Sequence, residues 1–437
     1  MNRNSRFKCK IFFLQTMMEV RKMLFSDESF GSQKNIFQRP VRMHNQVRDK
    51  AGVLKQVFLL LALLAMPAIV YGQGNIHVAP HPLYEPELEH AVELMLSMRL
   101  DSAETRLDKW IGSHPGDPSG LFMRSALFSW RLFLLPEEDD SGPLTAAFEK
   151  ANEMCRESAE HRLKERGGEF EGTVYLGAVY GQEALLALID RRHLAMAPLA
   201  KKAWKYVQRA VSLDPQYYDN YLGLGIYLYF TDVLPRLVKV LAEAYGFEGD
   251  RVRGLASLHL AAKRGMYSRD AARIMLVNIY SEIESPDSTI VSIARDLALR
   301  YPDNPLVQWR LGDILLRSRE YEGAEEIFRS VLERVDSGRP FYRNRMFTRW
   351  SMLYRIGICQ RKSNRREEAR RTFESVISAG EIKPEWIPVE ARLQAGELYI
   401  LAGDTARASQ KLREAVRMKD FRDSRKRAES LLREIEK

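Results

Sequence analysis

Hydrophobic residues in this chain recur at the spacing of amphipathic α-helices, and the pattern is clearest in the stretch 304–331. Two leucines four residues apart, Leu311 and Leu315, share one face of a helix. A polar run, Arg317 to Glu320, then interrupts the pattern, and a second apolar face follows between Ala324 and Val331. The stretch therefore predicts two helices joined by a short turn, which is a helical hairpin.

The same hairpin pattern occurs three times in one frame. In each copy a glycine of the first helix is followed after twelve residues by an alanine of the second helix, and a large apolar residue follows four positions later. Small residues let two helices approach closely, and the large residue fills the space between neighbouring hairpins. The predicted packing positions are Leu311, Gly312, Ala324 and Phe328 in the first copy, Gly357, Ala369 and Phe373 in the second, and Gly396, Tyr399 and Ala408 in the third.

This spacing resembles the tetratricopeptide repeat, whose pattern combines Leu-Gly, alanine and aromatic positions at fixed intervals. The resemblance implies an all-α, right-handed superhelical solenoid of six to eight tetratricopeptide-like helical hairpins. Divergent hairpins are expected over residues 73–135 and 144–303, on either side of an acidic loop, and regular repeats over residues 304–437. The last stretch, Phe421 to Lys437, is apolar on one face and charged elsewhere, which predicts the C-terminal capping helix that a solenoid needs.

The resemblance also implies a partner-binding groove, because the first helix of each tetratricopeptide repeat lines the concave face. The implied groove residues are Trp309, Asp313 and Arg317 in the first copy, Tyr354, Ile358 and Arg361 in the second, and Leu393, Glu397 and Ile400 in the third. This mixture suits a protein or peptide partner, since Trp, Tyr and Arg are frequent hot spots of binding. The carboxylate clamp of chaperone-binding relatives needs Lys and Asn where Trp309 and Asp313 stand, so that specialised function is not expected.

The net charge of +9 is concentrated near the N-terminus. Residues 1–55 contain 12 Lys and Arg against 4 Asp and Glu, and residues 56–72 contain neither, which leaves 55 basic and 54 acidic residues from Gln73 onward. A nearly neutral folded part gives no support for a nucleic-acid partner. The basic flank, the apolar run from Val57 to Val70 and the small residue that follows have the layout of a secretory signal peptide.

A signal peptide over residues 43–72 predicts export to the periplasm or the outer membrane of a Gram-negative bacterium. Translation is then expected to start at Met43, and residues 1–42 would be a non-native or disordered extension. Secretion and an uncleaved signal anchor are the alternatives, although fourteen apolar residues are fewer than the roughly 20 that span a bilayer.

The sequence contains no recognised catalytic motif, so no enzyme activity, cofactor or metal is expected. Gly223 and Gly225 lie within a helical pattern, where helix packing fits better than nucleotide binding. His77, His81 and His90 could bind copper or zinc near the start of the exported chain, but their spacing matches no compact metal motif.

Of the three cysteines, Cys9 precedes the expected signal peptide, and Cys155 and Cys359 lie in predicted helices. We interpret the latter two as buried thiols. A disulfide between them in an oxidising compartment is the alternative.

The predicted function is a non-catalytic scaffold of the bacterial cell envelope that binds a peptide or protein partner in its concave groove. The alternative is a peripheral outer-membrane or envelope-assembly factor. It would dock on lipid or on a membrane protein through the aromatic middle section, Tyr217 to Phe247.

Overall fold

The computed structural model describes residues 81–136, 139–189, 192–244, 246–343, 347–380, 382–421 and 423–436. Over these ranges the chain forms eighteen α-helices and no β-strand, and all of them belong to one compact unit, Arg48–Lys437. The predicted signal peptide, the extension before it and His77 lie outside the described residues. None of the described helices is both long enough and apolar enough to cross a membrane.

The helices follow one another with short connections. In chain order they are α1 Pro86–Leu96, α2 Leu100–Ser113, α3 Pro118–Leu134, α4 Gly142–Lys164, α5 Glu169–Ile189, α6 His193–Leu213, α7 Asn220–Asp232, α8 Arg236–Ala244, α9 Arg251–Arg264, α10 Arg269–Glu282, α11 Ser288–Arg300, α12 Pro305–Arg317, α13 Tyr321–Asp336, α14 Arg349–Lys362, α15 Arg366–Ile377, α16 Trp386–Leu401, α17 Thr405–Arg417 and α18 Ser424–Ile435. Within the described ranges they pair as eight hairpins, and α8 is an insertion between the two helices of the fourth. The predicted all-helical solenoid with a C-terminal capping helix is confirmed.

The helices form two rows, and one row lies inside the other. Helices α1, α3, α5 and α7 each contact the next member of this series, as do α10 and α12, and as do α14, α16 and α18. Helices on the inside of a curved array of hairpins lie closer together than those on the outside, so we infer that the row whose members touch one another is the inner one. We call these helices the inner row, and the second helices of the hairpins form the outer row.

Close helix contacts recur in the three regular repeats. A β-carbon built on the glycine of the inner helix would overlap the large residue sixteen positions later on the outer helix. The distances would be 2.5 Å from Gly312 to Phe328, 2.7 Å from Gly357 to Phe373 and 2.8 Å from Gly396 to Leu412. Non-bonded carbon atoms normally lie about 3.5–4.0 Å apart. The two helices of each regular hairpin are therefore closer together than a residue with a β-carbon at the glycine position would allow.

The turn inside each regular repeat also has a fixed geometry. Seven residues after the packing glycine, one residue adopts a left-handed backbone, with φ of 67° at Arg319, 62° at Asn364 and 76° at Gly403. Glycine adopts this conformation freely, and asparagine tolerates it better than most residues. Arg319 is the member of the three with no such tolerance, so its turn carries a small conformational cost.

Helices α7 and α9 of the fourth hairpin cross closely despite the inserted α8. A β-carbon on Gly225 would lie 2.7 Å from Cγ of Leu258, which agrees with a packing role for this glycine. The side chain of Asp250 caps α9 by accepting a hydrogen bond from the amide of Arg253, at 2.9 Å.

Both cysteines of the described chain are buried and free. Cys155 and Cys359 are each 0% exposed, and burial raises the pKa of both thiols, that of Cys359 to about 12. The prediction of two buried thiols is confirmed.

Candidate partner-binding surface

Two of the three residues that the repeat frame places in the groove on α12 are buried. Trp309 is 2% exposed and packs edge-on against Phe347, with 5.5 Å between ring centroids. Asp313 is 8% exposed, whereas Arg317 is exposed and donates a hydrogen bond to the carbonyl oxygen of Glu284 at 2.6 Å. In this structure Trp309 and Asp313 present no surface to a partner, and Arg317 does.

A buried network of charged groups explains why Asp313 is not available. The Arg310 guanidinium, 1% exposed, donates to Asn278 at 2.9 Å, to Glu282 at 2.6 Å and to Asp313 at 3.1 Å. The second oxygen of Asp313 accepts from Nε of Arg355 at 2.8 Å. A buried charge that loses its partner destabilises a protein strongly. The network joins α10, α12 and α14. Because breaking it would leave a buried charge without a partner, Asp313 has a structural role here.

The groove positions of the next two repeats are more accessible. Tyr354, Ile358 and Ile400 are each partly buried and pack against the same hydrophobic cluster, which includes Phe373. Leu393 is 0% exposed and contributes to the core, so it presents no surface to a partner.

Two ion pairs cross between neighbouring inner helices in this region. Arg361 of α14 lies 2.5 Å from Glu397 of α16, and both side chains are about a quarter exposed, at 26% and 25%. Arg427 of α18 donates to Glu390 of α16 at 2.7 Å. Burial lowers the pKa of Arg427, but the Glu390 carboxylate outweighs it and leaves this pKa raised. These arginines are held in place by the chain and still reach solvent.

Leu401, which the sequence prediction omitted, is the most exposed apolar residue of this surface. Its exposed fraction is 56%, and the other large hydrophobic residues that are exposed in the described ranges lie outside the inner row. Its position was readable from the repeat frame, because Leu401 follows Gly396 by five residues, as Arg317 follows Gly312.

The accessible residues form one strip. Ile358 precedes Arg361 by three residues and Leu401 follows Glu397 by four, so both lie on the helix faces that carry the ion pair. We call this strip the C-terminal inner surface, and it consists of Tyr354, Ile358, Arg361, Glu397, Ile400, Leu401 and Arg427. It combines apolar side chains with charges of both signs, which is the composition of a protein-binding surface.

The aromatic segment of α7 belongs to the core. Tyr217, Tyr229 and Phe230 are 3%, 0% and 6% exposed, and every residue from 217 to 230 is at least partly buried. The Tyr229 hydroxyl donates to Glu284 at 2.7 Å. Because these rings face inward, they offer no surface for membrane docking. In the rest of the section proposed for docking, Val240 of α8 is 55% exposed.

Of the three histidines considered for a metal site, the two that the structure describes, His81 and His90, contact different carboxylates. Nε2 of His81 is 3.1 Å from Asp214, and Nδ1 of His90 is 3.4 Å from Glu93. Among the described residues no group of three or more His, Cys, Asp or Glu side chains is placed to hold a metal ion. The metal alternative gains no support from this part of the chain.

Two parts of the chain match family models described as tetratricopeptide repeat, at residues 292–339 and 351–379. The first range contains the hairpin α12–α13, and the second covers the hairpin α14–α15 except for the first two residues of α14. The chain is also 27% identical over 157 residues to tetratricopeptide repeat protein ttc-39B of Caenorhabditis elegans. That match covers 34% of this chain and 27% of the relative, so it spans about a quarter of the relative's length.

Two solved structures align with most of this chain at low TM-scores. Yeast Tom70 aligns with 80% of this chain and 81% of its own, at 11% identity and a TM-score of 0.36. The tetratricopeptide domain of P58(IPK) aligns with 80% and 98%, at 14% identity and a TM-score of 0.22. The array of hairpins with close glycine contacts defines an all-helical repeat protein. Together with the sequence matches, it shows that this chain contains tetratricopeptide repeats within residues 292–339 and 351–379.

Proposed function

We propose that this protein is a scaffold of the bacterial cell envelope that holds a peptide or protein segment against its C-terminal inner surface. Its repeats indicate protein–protein interaction in general. The observation that carries the more specific proposal is Leu401, the exposed large apolar residue of the inner row in the described ranges, beside the Arg361–Glu397 pair.

Binding at this surface would combine apolar burial with charge recognition. A partner that covers Leu401 and the exposed parts of Ile358 and Tyr354 gains the free energy of removing apolar area from water. The two arginines are already oriented by Glu397 and Glu390, so little side-chain entropy is lost when a partner arrives. The surface is therefore preorganised for a short segment with apolar anchors.

Export is supported by the sequence layout of residues 43–72. N-terminal sequencing of the protein from a periplasmic or membrane fraction tests it. We expect a mature chain that begins near Gln73, and recovery of an uncleaved chain from the cytoplasm would contradict export.

The surface is tested by comparing two exposed leucines. Leu299 of the outer helix α11 is 82% exposed and provides the matched control for Leu401. Affinity capture from envelope extracts should recover the same partner with wild type and with Leu299→Asp, and lose it with Leu401→Asp. Equal capture by the two variants would show that the C-terminal inner surface is not the binding site.

A further inference from the structure

Helix α1 is buried around nearly its whole circumference, although it is the first helix that the structure describes. Side chains advance about 100° per residue along a helix, so six consecutive residues sample its whole circumference. Five of the six residues from 91 to 96 are at most 6% exposed, namely Ala91, Val92, Leu94, Met95 and Leu96. Helix α18, at the other end of the array, buries only Ser424 and Ala428. A second surface, beyond that of its own hairpin, therefore covers α1.

Part of that surface is α3 of the next hairpin, and part comes from residues about 180 to 210 positions further along the chain. Nδ2 of Asn304 donates to the carbonyl oxygen of Leu96 at 3.0 Å, and Oδ1 of the same side chain caps α12. The Tyr267 hydroxyl donates to the carbonyl oxygen of Leu83 at 2.9 Å and accepts from the amide of Glu85. Asn304 is 0% exposed and Tyr267 is 1% exposed, so both contacts are shielded from water.

The residues before α1 continue the same contact. Nε2 of His81 lies 3.1 Å from Oδ2 of Asp214. The imidazole ring also packs against Tyr217, with 4.6 Å between centroids, and against Phe170, with 5.6 Å. The Tyr84 ring stacks on Tyr267 at 5.9 Å. Residues 81–85 are therefore held by side chains of three distant hairpins.

All these contacts lie at one edge of the array. Phe170, Tyr217, Tyr267 and Asn304 stand at the N-terminal ends of α5, α7, α10 and α12, which are consecutive members of the inner row. The apolar residues of α1 belong to the same continuous hydrophobic cluster as those of α10 and α12. Helix α10 buries ten of its 14 residues and α12 buries ten of its 13.

We propose that residues 81–98, the clasp segment, are an intramolecular ligand that closes the inner row from the third to the sixth hairpin. A protein partner then meets an open inner row only from the C-terminal end of α12, at Arg317, onward. The closure involves this chain alone, so the proposal stands or falls independently of the proposed function.

Hydrogen exchange of the full-length protein without any partner tests the clasp. Amides of α1 should exchange at a rate close to that of α10 and far more slowly than those of α18. Tyr267→Phe keeps the stacked ring but removes the hydroxyl that holds residues 83 and 85. It should speed exchange in α1 about tenfold or more, because two buried hydrogen bonds are lost, those with Leu83 and Glu85.

Two further variants separate the clasp from general destabilisation. Tyr342, also 1% exposed, accepts a hydrogen bond only from the nearby Arg334 among its described contacts, so Tyr342→Phe should leave α1 unchanged. Asn304→Asp keeps the oxygen that caps α12 and removes the amide that reaches Leu96, so it should also speed exchange in α1. Exchange in wild-type α1 as fast as in α18, or equal effects of Tyr267→Phe and Tyr342→Phe on α1, would overturn the proposal. Protection of α1 that falls on dilution would overturn it as well, because the contact would then come from a second copy.

Discussion

Replacing Gly312 by alanine tests the close helix contact on which each regular repeat depends. The added methyl group would lie 2.5, 2.8 and 2.9 Å from three ring atoms of Phe328. Because carbon atoms in contact are about 3.5–4.0 Å apart, the overlap is about 1 Å. Phe328 is 0% exposed, so its ring has no free space into which it can turn. Helices α12 and α13 must therefore separate, or the ring must leave its preferred rotamer.

The magnitude follows from two opposing effects. Overpacking of a buried site costs about 1–3 kcal/mol. Alanine in a helix interior is favoured over glycine by roughly 1 kcal/mol. Gly181 in α5 has no neighbour within 4 Å of an added β-carbon, so Gly181→Ala carries the favourable effect without the overlap. We expect Gly312→Ala to be about 1–3 kcal/mol less stable than Gly181→Ala.

Urea denaturation followed by far-ultraviolet circular dichroism measures this difference. Since repeat arrays can open locally, hydrogen exchange of α12 and α13 should accompany the titration. The predicted result is a lower midpoint for Gly312→Ala than for Gly181→Ala, with faster exchange confined to the hairpin and its neighbours. A Gly312→Ala variant as stable as Gly181→Ala would refute the close-packing account.

The left-handed turn residues give a second test in the same titration: Arg319→Gly should raise the free energy of unfolding by up to about 1 kcal/mol, and Gly403→Ala should lower it. Equal effects would contradict the shared turn geometry. The two buried cysteines should resist a thiol reagent in the native protein and react after unfolding, and rapid native reaction of either would contradict its burial. Burial raises the pKa of Glu89 from its ordinary 4.5 to about 7, opposed by Arg269 and assisted by Glu93. Because the folded-state pKa is the higher one, wild-type stability should fall as the pH rises from about 4.5 to 7. Glu89→Gln should lose less stability over that range, and identical pH profiles would contradict the assignment.

The regular repeats could be predicted from sequence because their contacts are local. Gly312 and Phe328 are sixteen residues apart, and the length of two short helices and one turn fixes that interval. The same interval recurs at Gly357 and Gly396, so the pattern of residue sizes records the contact directly. The exposure of Leu401 follows from the same frame, extended by one position.

The contacts of α1 with distant hairpins and the burial of the predicted groove residues Trp309 and Asp313 could not be predicted in this way. Leu96 and Asn304 are 208 residues apart in sequence, and helical periodicity carries no information about contacts between distant hairpins. Trp309 is covered by Phe347, which belongs to an irregular connection that has no counterpart in the repeat frame. The repeat frame locates the inner row. Which of its residues are buried depends on contacts with distant hairpins and irregular connections.

Site-directed photo-cross-linking in living cells tests the central claim most directly, because it fixes the partner at a chosen position. A photoreactive amino acid would replace Leu401 in one protein and Leu299 in a second, both exposed and on different rows. The account predicts a covalent adduct with another protein at position 401 and none at position 299. Adducts at position 299 alone, or equally at both positions, would contradict binding at the C-terminal inner surface.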